Sequence, residues 1–148
     1  RAVRLWPIEP AYRLNLGQIE VQAGAFAAAE AQVAAAQHLK PDDPAVWAAA
    51  GELYAYWGAV DPDRYTQAEA AYRQALALAP NLATYHTALG LVLAQQGCSD
   101  EALVELERAV ALDATDGVAY VHLAELYRSL GWEREAAWAR RQAQRWSE

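Results

Sequence analysis

The sequence predicts an all-helical domain built from a repeated pair of helices, and three observations support this. The chain is rich in alanine, which favours helix, and no alternating apolar and polar run indicates a strand. The stretch from Ala68 to Gly90 contains a helix, a break at Pro80 and Asn81, and the start of another helix. The same pattern recurs along the chain, which is typical of a repeat architecture.

The small residues recur with a period of about 34 residues. Gly17 and Gly51 are one period apart, and so are Gly90 and Ala124. The separation between Gly51 and Gly90 is five residues longer than one period. The excess coincides with the segment 61–63, an Asp-Pro-Asp run, which predicts a turn lengthened by five residues between two helices.

Four units follow from this period, and each divides into two helices. Pro7 lies one period before Pro41, so the chain is expected to begin inside the tail of a preceding repeat. The whole chain, 1–148, is treated as one domain. Its predicted parts are the tail, 1–9, and the units 10–43, 44–82 with the insertion, 83–116 and 117–148.

Helix-start signals support these boundaries. Pro44 suits a first helical turn, and Asp42 or Asp43 is placed to cap that helix. In the third unit Ser99 is expected to cap the second helix, and Glu101 in its first turn complements the helix dipole.

Composition and charge exclude several functional classes. The net charge of -7 argues against a nucleic-acid surface, which is normally basic. No apolar run reaches the length of about 20 residues that a spanning helix needs, so this segment is not expected to insert into a membrane. Methionine is absent, which favours a piece of a longer protein. The chain is therefore expected to be cytoplasmic or a soluble region of a membrane protein.

The units resemble tetratricopeptide repeats. That family's helix-turn-helix has small residues at repeat positions 8, 20 and 27, large or aromatic residues at 4, 11 and 24, and Pro at 32. The second unit fits this pattern best, with Trp47, Gly51, Tyr54, Ala68, Tyr72, Ala75 and Pro80. The resemblance implies a right-handed α-solenoid of about four repeats. Arg140 departs from the pattern at position 24, which indicates a terminal unit with one wet face.

The same resemblance implies a concave groove lined by the first helix of each unit. A solenoid of this family usually binds a protein or a peptide there. The groove is expected to be small, mostly neutral and mildly apolar, and to accept a helix or an apolar segment. The candidate partner-binding residues are Leu14, Gln18, Gln22, Glu52, Tyr56, Thr84, Thr87, Leu91, Gln95, Glu125 and Arg128.

No pattern in the sequence indicates catalysis. The three histidines fall in different units without metal-ligand spacing, and His86 is expected to be a satisfied packing residue. The single cysteine, Cys98, has no nearby histidine in sequence to activate it. We therefore predict no enzyme activity, no cofactor and no metal.

The tryptophans divide into core and surface residues. Trp47 is expected in the core, Trp57 against a turn, and Trp146 at an apolar helix site. Trp138 beside Arg141 is the candidate for self-association through the last helix.

Two alternative functions remain open. The run RLWPIEPAYRLNLG resembles repeat tails of bacterial O-antigen ligase or polymerase proteins, so the chain is alternatively the accessory region of a membrane-bound glycan enzyme. Otherwise it is a structural array that assembles end to end through Arg140 and the first helix.

Overall fold

The computed structural model describes residues 9–147 of the chain. This range contains eight α-helices and no strand. The predicted repeat tail lies outside the described residues except for Glu9, the residue before the first helix. The helices are α1 (Pro10–Gln22), α2 (Phe26–Leu39), α3 (Pro44–Gly58), α4 (Arg64–Leu78), α5 (Ala83–Gln95), α6 (Ser99–Leu112), α7 (Gly117–Ser129) and α8 (Glu133–Arg145).

The helices pack as four consecutive pairs that stack in chain order. Each odd-numbered helix packs on the even-numbered helix that follows it, and α4 then contacts α5 while α6 contacts α7. Consecutive first helices of the pairs also contact one another. The first helices begin at Pro10, Pro44, Ala83 and Gly117, where the four sequence units begin. The predicted all-α solenoid of helix pairs is confirmed.

Glycines in the left-handed conformation end three of the four first helices. Gly24, Gly97 and Gly131 have φ angles of 76°, 80° and 79° and follow α1, α5 and α7. Glycine adopts this conformation without the steric cost that a Cβ would bring. In the second unit α3 continues through Gly58 instead. A Cβ on Gly58 would lie 2.6 Å from Cε1 of Tyr65, so the close approach of that ring requires glycine.

The extra residues of the second unit are shared between its helices and its turn. Helices α3 and α4 each contain 15 residues, whereas α5 contains 13 and α6 contains 14. The connection between α3 and α4 spans residues 59–63, and the connection between α5 and α6 spans only 96–98. The sequence predicted that the turn holds all five extra residues. In the structure part of the insertion lies in the helices, because α3 continues through Gly58.

Small residues allow the two helices of each pair to approach closely. A Cβ on Gly51 would lie 2.9 Å from the Tyr72 ring, and one on Gly90 would lie 2.7 Å from Cγ of Leu106. The second helices carry alanines where they face the first helices, and these alanines have no exposed surface. They are Ala29, Ala36, Ala68, Ala75, Ala102, Ala109 and Ala136, each 0% exposed.

Trp57 is the largest fully buried side chain among the described residues. Its ring stacks on Phe26 with 4.8 Å between the ring centroids. The guanidinium of Arg64 lies 4.0 Å from the centroid of the Trp57 ring. Trp57 therefore belongs to the core that joins the first two units, whereas the sequence had placed it against a turn.

Trp47, which was expected in the core, and Trp146, which was expected at an apolar helix site, are both partly exposed. Trp47 is half-buried, and its indole N–H donates to the carbonyl of Pro41 at 2.7 Å. Trp146 is 39% exposed. The leucines at the same repeat position, Leu39, Leu78 and Leu112, are 38–41% exposed, so this position lies at an edge in every unit.

One of the two predicted helix caps is confirmed. Asp43 precedes α3, and its carboxylate accepts a hydrogen bond from the Ala45 amide at 2.9 Å. Ser99 does not cap α6, because the helix begins one residue earlier than expected and Ser99 is its first residue. The expected Glu101 does lie in the first turn of α6, together with Asp100.

Candidate partner-binding surface

Most of the predicted groove residues are exposed on the first helices. They are spaced three or four residues apart on each helix, which places them on a common face. The exposed residues are Gln18, Gln22, Glu52, Tyr56, Thr84, Gln95, Glu125 and Arg128, and Leu91 is half-buried. That this surface binds a partner stays a prediction.

Leu14 and Thr87 are placed differently, because both are only 6% exposed. Leu14 belongs to the core cluster of the first two units. The Thr87 hydroxyl donates to Oδ2 of Asp116 at 2.6 Å. Oδ1 of the same carboxylate accepts from the Ala119 amide at 3.0 Å and thereby caps α7. Both side chains therefore support the helices of the groove and are not free to contact a partner.

Tyr56 is the aromatic side chain of the predicted groove. Its side chain lies on α3 and is 44% exposed. Exposed tyrosines frequently anchor partners, since they offer a large apolar ring and a polar tip. The residues at the same repeat position on α1 and α5 are Gln22 and Gln95. Both are exposed and can donate or accept hydrogen bonds.

A pocket of about 350 Å³ opens between α7 and α8 at the end of the described chain. Its apolar lining comes from Val121, Ala124 and Ala143. Val121 is 45% exposed, whereas Ala124 and Ala143 are buried and form the floor. The pocket thus combines an exposed apolar wall with a closed base.

Polar side chains surround this apolar lining. Arg128 and Glu125 come from α7, and Arg140 and Gln144 come from α8. Oε2 of Glu125 lies 3.3 Å from Nδ1 of His122. Neither arginine forms an ion pair within residues 9–147, and Nε of Arg140 donates only to the Ala136 carbonyl at 3.3 Å. The pocket therefore presents two arginines that form no ion pair in the described range, together with the carboxylate of Glu125.

The structure brings two predicted residues, Glu125 and Arg128, into this pocket and adds residues that the repeat pattern does not select. The sequence identifies Arg140 only as a departure from that pattern. Its equivalent in the third unit, Leu106, is fully buried. The third unit has a buried leucine at this repeat position and the fourth unit has an exposed arginine. This difference is the one feature of the sequence that indicates the pocket.

The polar contacts of His86 agree with a packing role. Nδ1 lies 2.7 Å from Oε2 of Glu105, and Nε2 lies 2.9 Å from the carbonyl of Pro80. Both ring nitrogens therefore have partners within the joint between the second and third units, which leaves neither for a ligand.

Burial changes the ionisation of several tyrosines near the joints. Desolvation raises the pKa of Tyr72, and the nearby charge of Glu52 adds to the effect. Desolvation also raises the pKa of Tyr127, whose hydroxyl donates to Oε1 of Glu107 at 2.9 Å. Both rings are therefore held in the neutral form well above neutral pH, which suits packing.

Within residues 9–147 no group of acidic, histidine or cysteine side chains is arranged to hold a metal ion. In the same range, none of the helices combines the length and the apolar character required to cross a membrane.

Two regions of the sequence match models of known repeats. Residues 1–44 match a model described as a tetratricopeptide repeat, and residues 61–97 match a model described as a TPR repeat. No curated protein matches the sequence.

Solved structures with the same arrangement of helices cover nearly the whole chain. A crystal structure of MamA is 22% identical with a TM-score of 0.75, over 94% of this chain and 78% of that chain. The thermophilic TPR protein TTC0263 from Thermus thermophilus is 24% identical with a TM-score of 0.76, over 95% of this chain and 75% of that chain. MamA residues 41 to the end, from Desulfovibrio magneticus RS-1, are 17% identical with a TM-score of 0.74, over 93% and 75%.

These similarities concern the fold, and they agree with the period and the helix pairs described above. Stacked helix pairs, close contacts at small residues and two matched repeat models point to one architecture. Two segments of the chain thus match tetratricopeptide repeats, and the described helix pairs stack as an α-solenoid of the same kind.

Proposed function

We propose that this chain is a non-catalytic protein-interaction scaffold that holds a peptide or a helix of its partner in the groove formed by α1, α3, α5 and α7. The observation that carries the proposal is the pocket between α7 and α8, to which two of the predicted groove residues, Glu125 and Arg128, contribute. Its volume, about 350 Å³, lies within the range of about 300–1,000 Å³ that is typical of ligand pockets.

The chemistry of the pocket favours one class of bound segment. An apolar side chain can cover Val121 and the alanines of the floor, and a carboxylate can pair with Arg128 or Arg140. Farther along the groove, Tyr56 offers an aromatic contact. The bound segment therefore carries an acidic residue next to an apolar residue at one end and a second apolar residue at the other.

A displayed library of random peptides tests this function directly. Peptides are selected on the wild-type chain, and the affinity of individual synthetic peptides is measured by fluorescence polarisation. We expect Tyr56→Ala and Arg128→Ala each to weaken the selected peptides by roughly tenfold or more, as for residues at the centre of an interface.

Matched variants control for nonspecific effects. Tyr12→Ala removes another exposed tyrosine, and Arg108→Ala removes an exposed arginine of α6, a second helix that does not line the groove. Both are expected to bind the peptides as the wild type does. Equal binding by the wild type, Tyr56→Ala and Arg128→Ala would show that the groove assignment is wrong.

The alternative of an accessory region of a membrane-bound glycan enzyme stays a prediction that rests on the run RLWPIEPAYRLNLG. A parent reading frame with long apolar segments outside this chain would support it. The end-to-end array stays a prediction as well, and the surface described next suggests a different form of self-association.

A further inference from the structure

The outer face of α6 is acidic and has an apolar centre. We define the acidic face as Asp100, Val104 and Glu107, which are all exposed. Val104 is 63% exposed. A shallow depression of about 280 Å³ surrounds it, and Asp100, Glu101 and Glu105 form the rim. Within residues 9–147, neither Asp100 nor Glu107 takes part in an ion pair, and Oε1 of Glu107 accepts a hydrogen bond from the Tyr127 hydroxyl at 2.9 Å.

The outer face of α8 has the opposite charge and a larger apolar centre. We define the basic face as Arg134, Trp138 and Arg141, which are all exposed. Trp138 is 41% exposed, and its ring is held edge-on against Tyr120 with 5.5 Å between the centroids. Arg134 and Arg141 form no ion pair in the described part of the chain. One side of the Trp138 ring therefore packs on Tyr120, and part of the ring is exposed to solvent.

The two faces match position by position. Asp100 and Arg134 occupy the same repeat position, one period apart. The same relation holds between Val104 and Trp138 and between Glu107 and Arg141. Equivalent positions of the repeat point in equivalent directions, because each pair of helices repeats the geometry of the preceding pair. Each acid on α6 thus has a base at the same place on α8.

We infer that two copies of this chain pair through these faces about a two-fold axis that runs between α6 and α8 and parallel to them. Such an axis places α6 of each copy opposite α8 of the other, in the same register. Trp138 of one copy then covers Val104 of the second copy, and the second copy's Trp138 covers Val104 of the first. Asp100 meets Arg134 and Glu107 meets Arg141 in the same reciprocal way, as a closed two-fold contact requires.

The contributions of the two kinds of contact differ. Exposed ion pairs contribute little each, and they are weakened by salt. Burial of two tryptophan rings and two valines supplies the attraction, since aromatic side chains dominate small interfaces. The charges then select the register, because any arrangement that places α8 on α8 brings like charges together.

Exchange of charge across the interface tests the pairing. The oligomeric state of the wild type is measured by sedimentation velocity between about 1 and 500 μM. Glu107→Arg alone and Arg141→Glu alone are each expected to weaken the dimer by roughly tenfold or more. Mixed in equal amounts they are expected to form a heterodimer, because each variant then supplies the charge that the other needs. The double variant in one chain is expected to dimerise again.

Further variants separate this interface from other causes. Trp138→Ala is expected to abolish the dimer, whereas Trp146→Ala, which truncates a similarly exposed tryptophan of 39% exposure, leaves it intact. Glu52→Arg changes the charge as Glu107→Arg does, but on α3, and leaves the dimer intact. Circular dichroism of each variant checks that the helices are retained.

A wild-type chain that remains monomeric at 500 μM would overturn the inference. So would a dimer that survives Trp138→Ala, or single charge variants that do not recombine. The groove proposal does not depend on the outcome, because α6 and α8 present these faces away from the first helices.

Discussion

Trp57 connects the first two repeats through contacts of several kinds. It stacks on Phe26 at the start of α2 and receives the guanidinium of Arg64 at the start of α4. Arg64 also pairs with Glu30 of α2 at 2.7 Å. Trp57 thus contacts an apolar side chain of the first repeat and a charged side chain of the second.

Trp57→Ala is expected to lower the free energy of unfolding by about 3–5 kcal/mol, since it removes a fully buried ring and leaves a cavity. Urea denaturation followed by circular dichroism measures the change. Trp146→Ala is the control, because that ring is 39% exposed and its loss should cost far less. Similar losses for both variants would contradict the assigned role.

Tyr72 provides a prediction about alkaline pH. Burial raises the pKa of its hydroxyl in the folded chain, whereas the hydroxyl of an unfolded chain ionises near pH 10. The contribution of the neutral Tyr72 hydroxyl to the free energy of unfolding is therefore fully present below about pH 10, and it is lost as the pH rises above that value.

Tyr72→Phe is expected to lose less stability between pH 8 and pH 11 than the wild type, because phenylalanine has no proton to release. Denaturant titrations at both pH values measure the difference. Tyr12→Phe is the control, because Tyr12 is 56% exposed. An unchanged pH dependence in Tyr72→Phe would show that other groups control alkaline unfolding.

Leu14 shows where residue-level reasoning from the sequence stops. Its repeat position predicts the groove, yet the residue is buried among residues of the first two repeats. Thr87 is buried because Asp116, which is 29 residues away in sequence, reaches its hydroxyl. Such contacts depend on how neighbouring repeats meet, and the period alone does not define them. Neither residue is therefore a suitable site for a binding test.

At the scale of the helix pair, the small residues and the starts of the first helices could be predicted from the sequence. Gly51 and Gly90 lie against large side chains of the second helix, as the repeat pattern requires. The lengths of α3 and α4 could not be predicted, because the insertion is absorbed by helix extension at Gly58. The Asp-Pro-Asp run predicted a turn lengthened by all five residues, whereas the connection 59–63 is only two residues longer than the connection 96–98.

Gly90→Ala is expected to destabilise the chain by about 1–3 kcal/mol, because the added methyl would lie 2.7 Å from Cγ of Leu106. Leu106→Ala removes that atom, so the cost of Gly90→Ala should be smaller in the Leu106→Ala background. A double-mutant cycle of unfolding free energies measures the coupling. Additive effects of the two changes would mean that the helices separate readily at this point.

At the scale of the whole molecule, each joint between repeats contains a polar link in addition to its apolar core. Arg64 pairs with Glu30 at the first joint, and Arg73 pairs with Glu101 at 2.9 Å at the second. At the third joint Tyr127 donates to Glu107, and Thr87 donates to Asp116. Among the eight described helices, contacts occur only within a repeat or between neighbouring repeats, as in other solenoids.

Native-state hydrogen exchange is expected to be slower in α6 than in α2. Both helices contain 14 residues and occupy the same place in their repeats, so they form a matched comparison. The repeat of α6 is packed on both sides by described helices, and terminal repeats open more readily. Equal protection in α2, α6 and α8 would instead indicate that the chain opens as one unit.

The repeat register predicted most of the exposed positions on the first helices, and it did not predict the pocket between α7 and α8. Outward-facing positions follow from the repeat register alone. The pocket lies between the two helices of the fourth repeat, and Arg140 in its lining stands at the repeat position of Leu106, which is fully buried in the preceding repeat. Its shape depends on the relative position of two helices, which composition and spacing do not determine.

The lengthened helices of the second repeat also shape the edge of the solenoid. Two additional residues extend α3 by about 3 Å relative to α5, at about 1.5 Å per residue. The connection beyond them carries Val60, which is 73% exposed. The edge is therefore stepped, and the step lies two repeats away from the pocket between α7 and α8. The connection between α7 and α8 also exposes apolar side chains, Leu130 at 37% and Trp132 at 47%, so large apolar side chains are exposed in the connections of both the second and the fourth repeats.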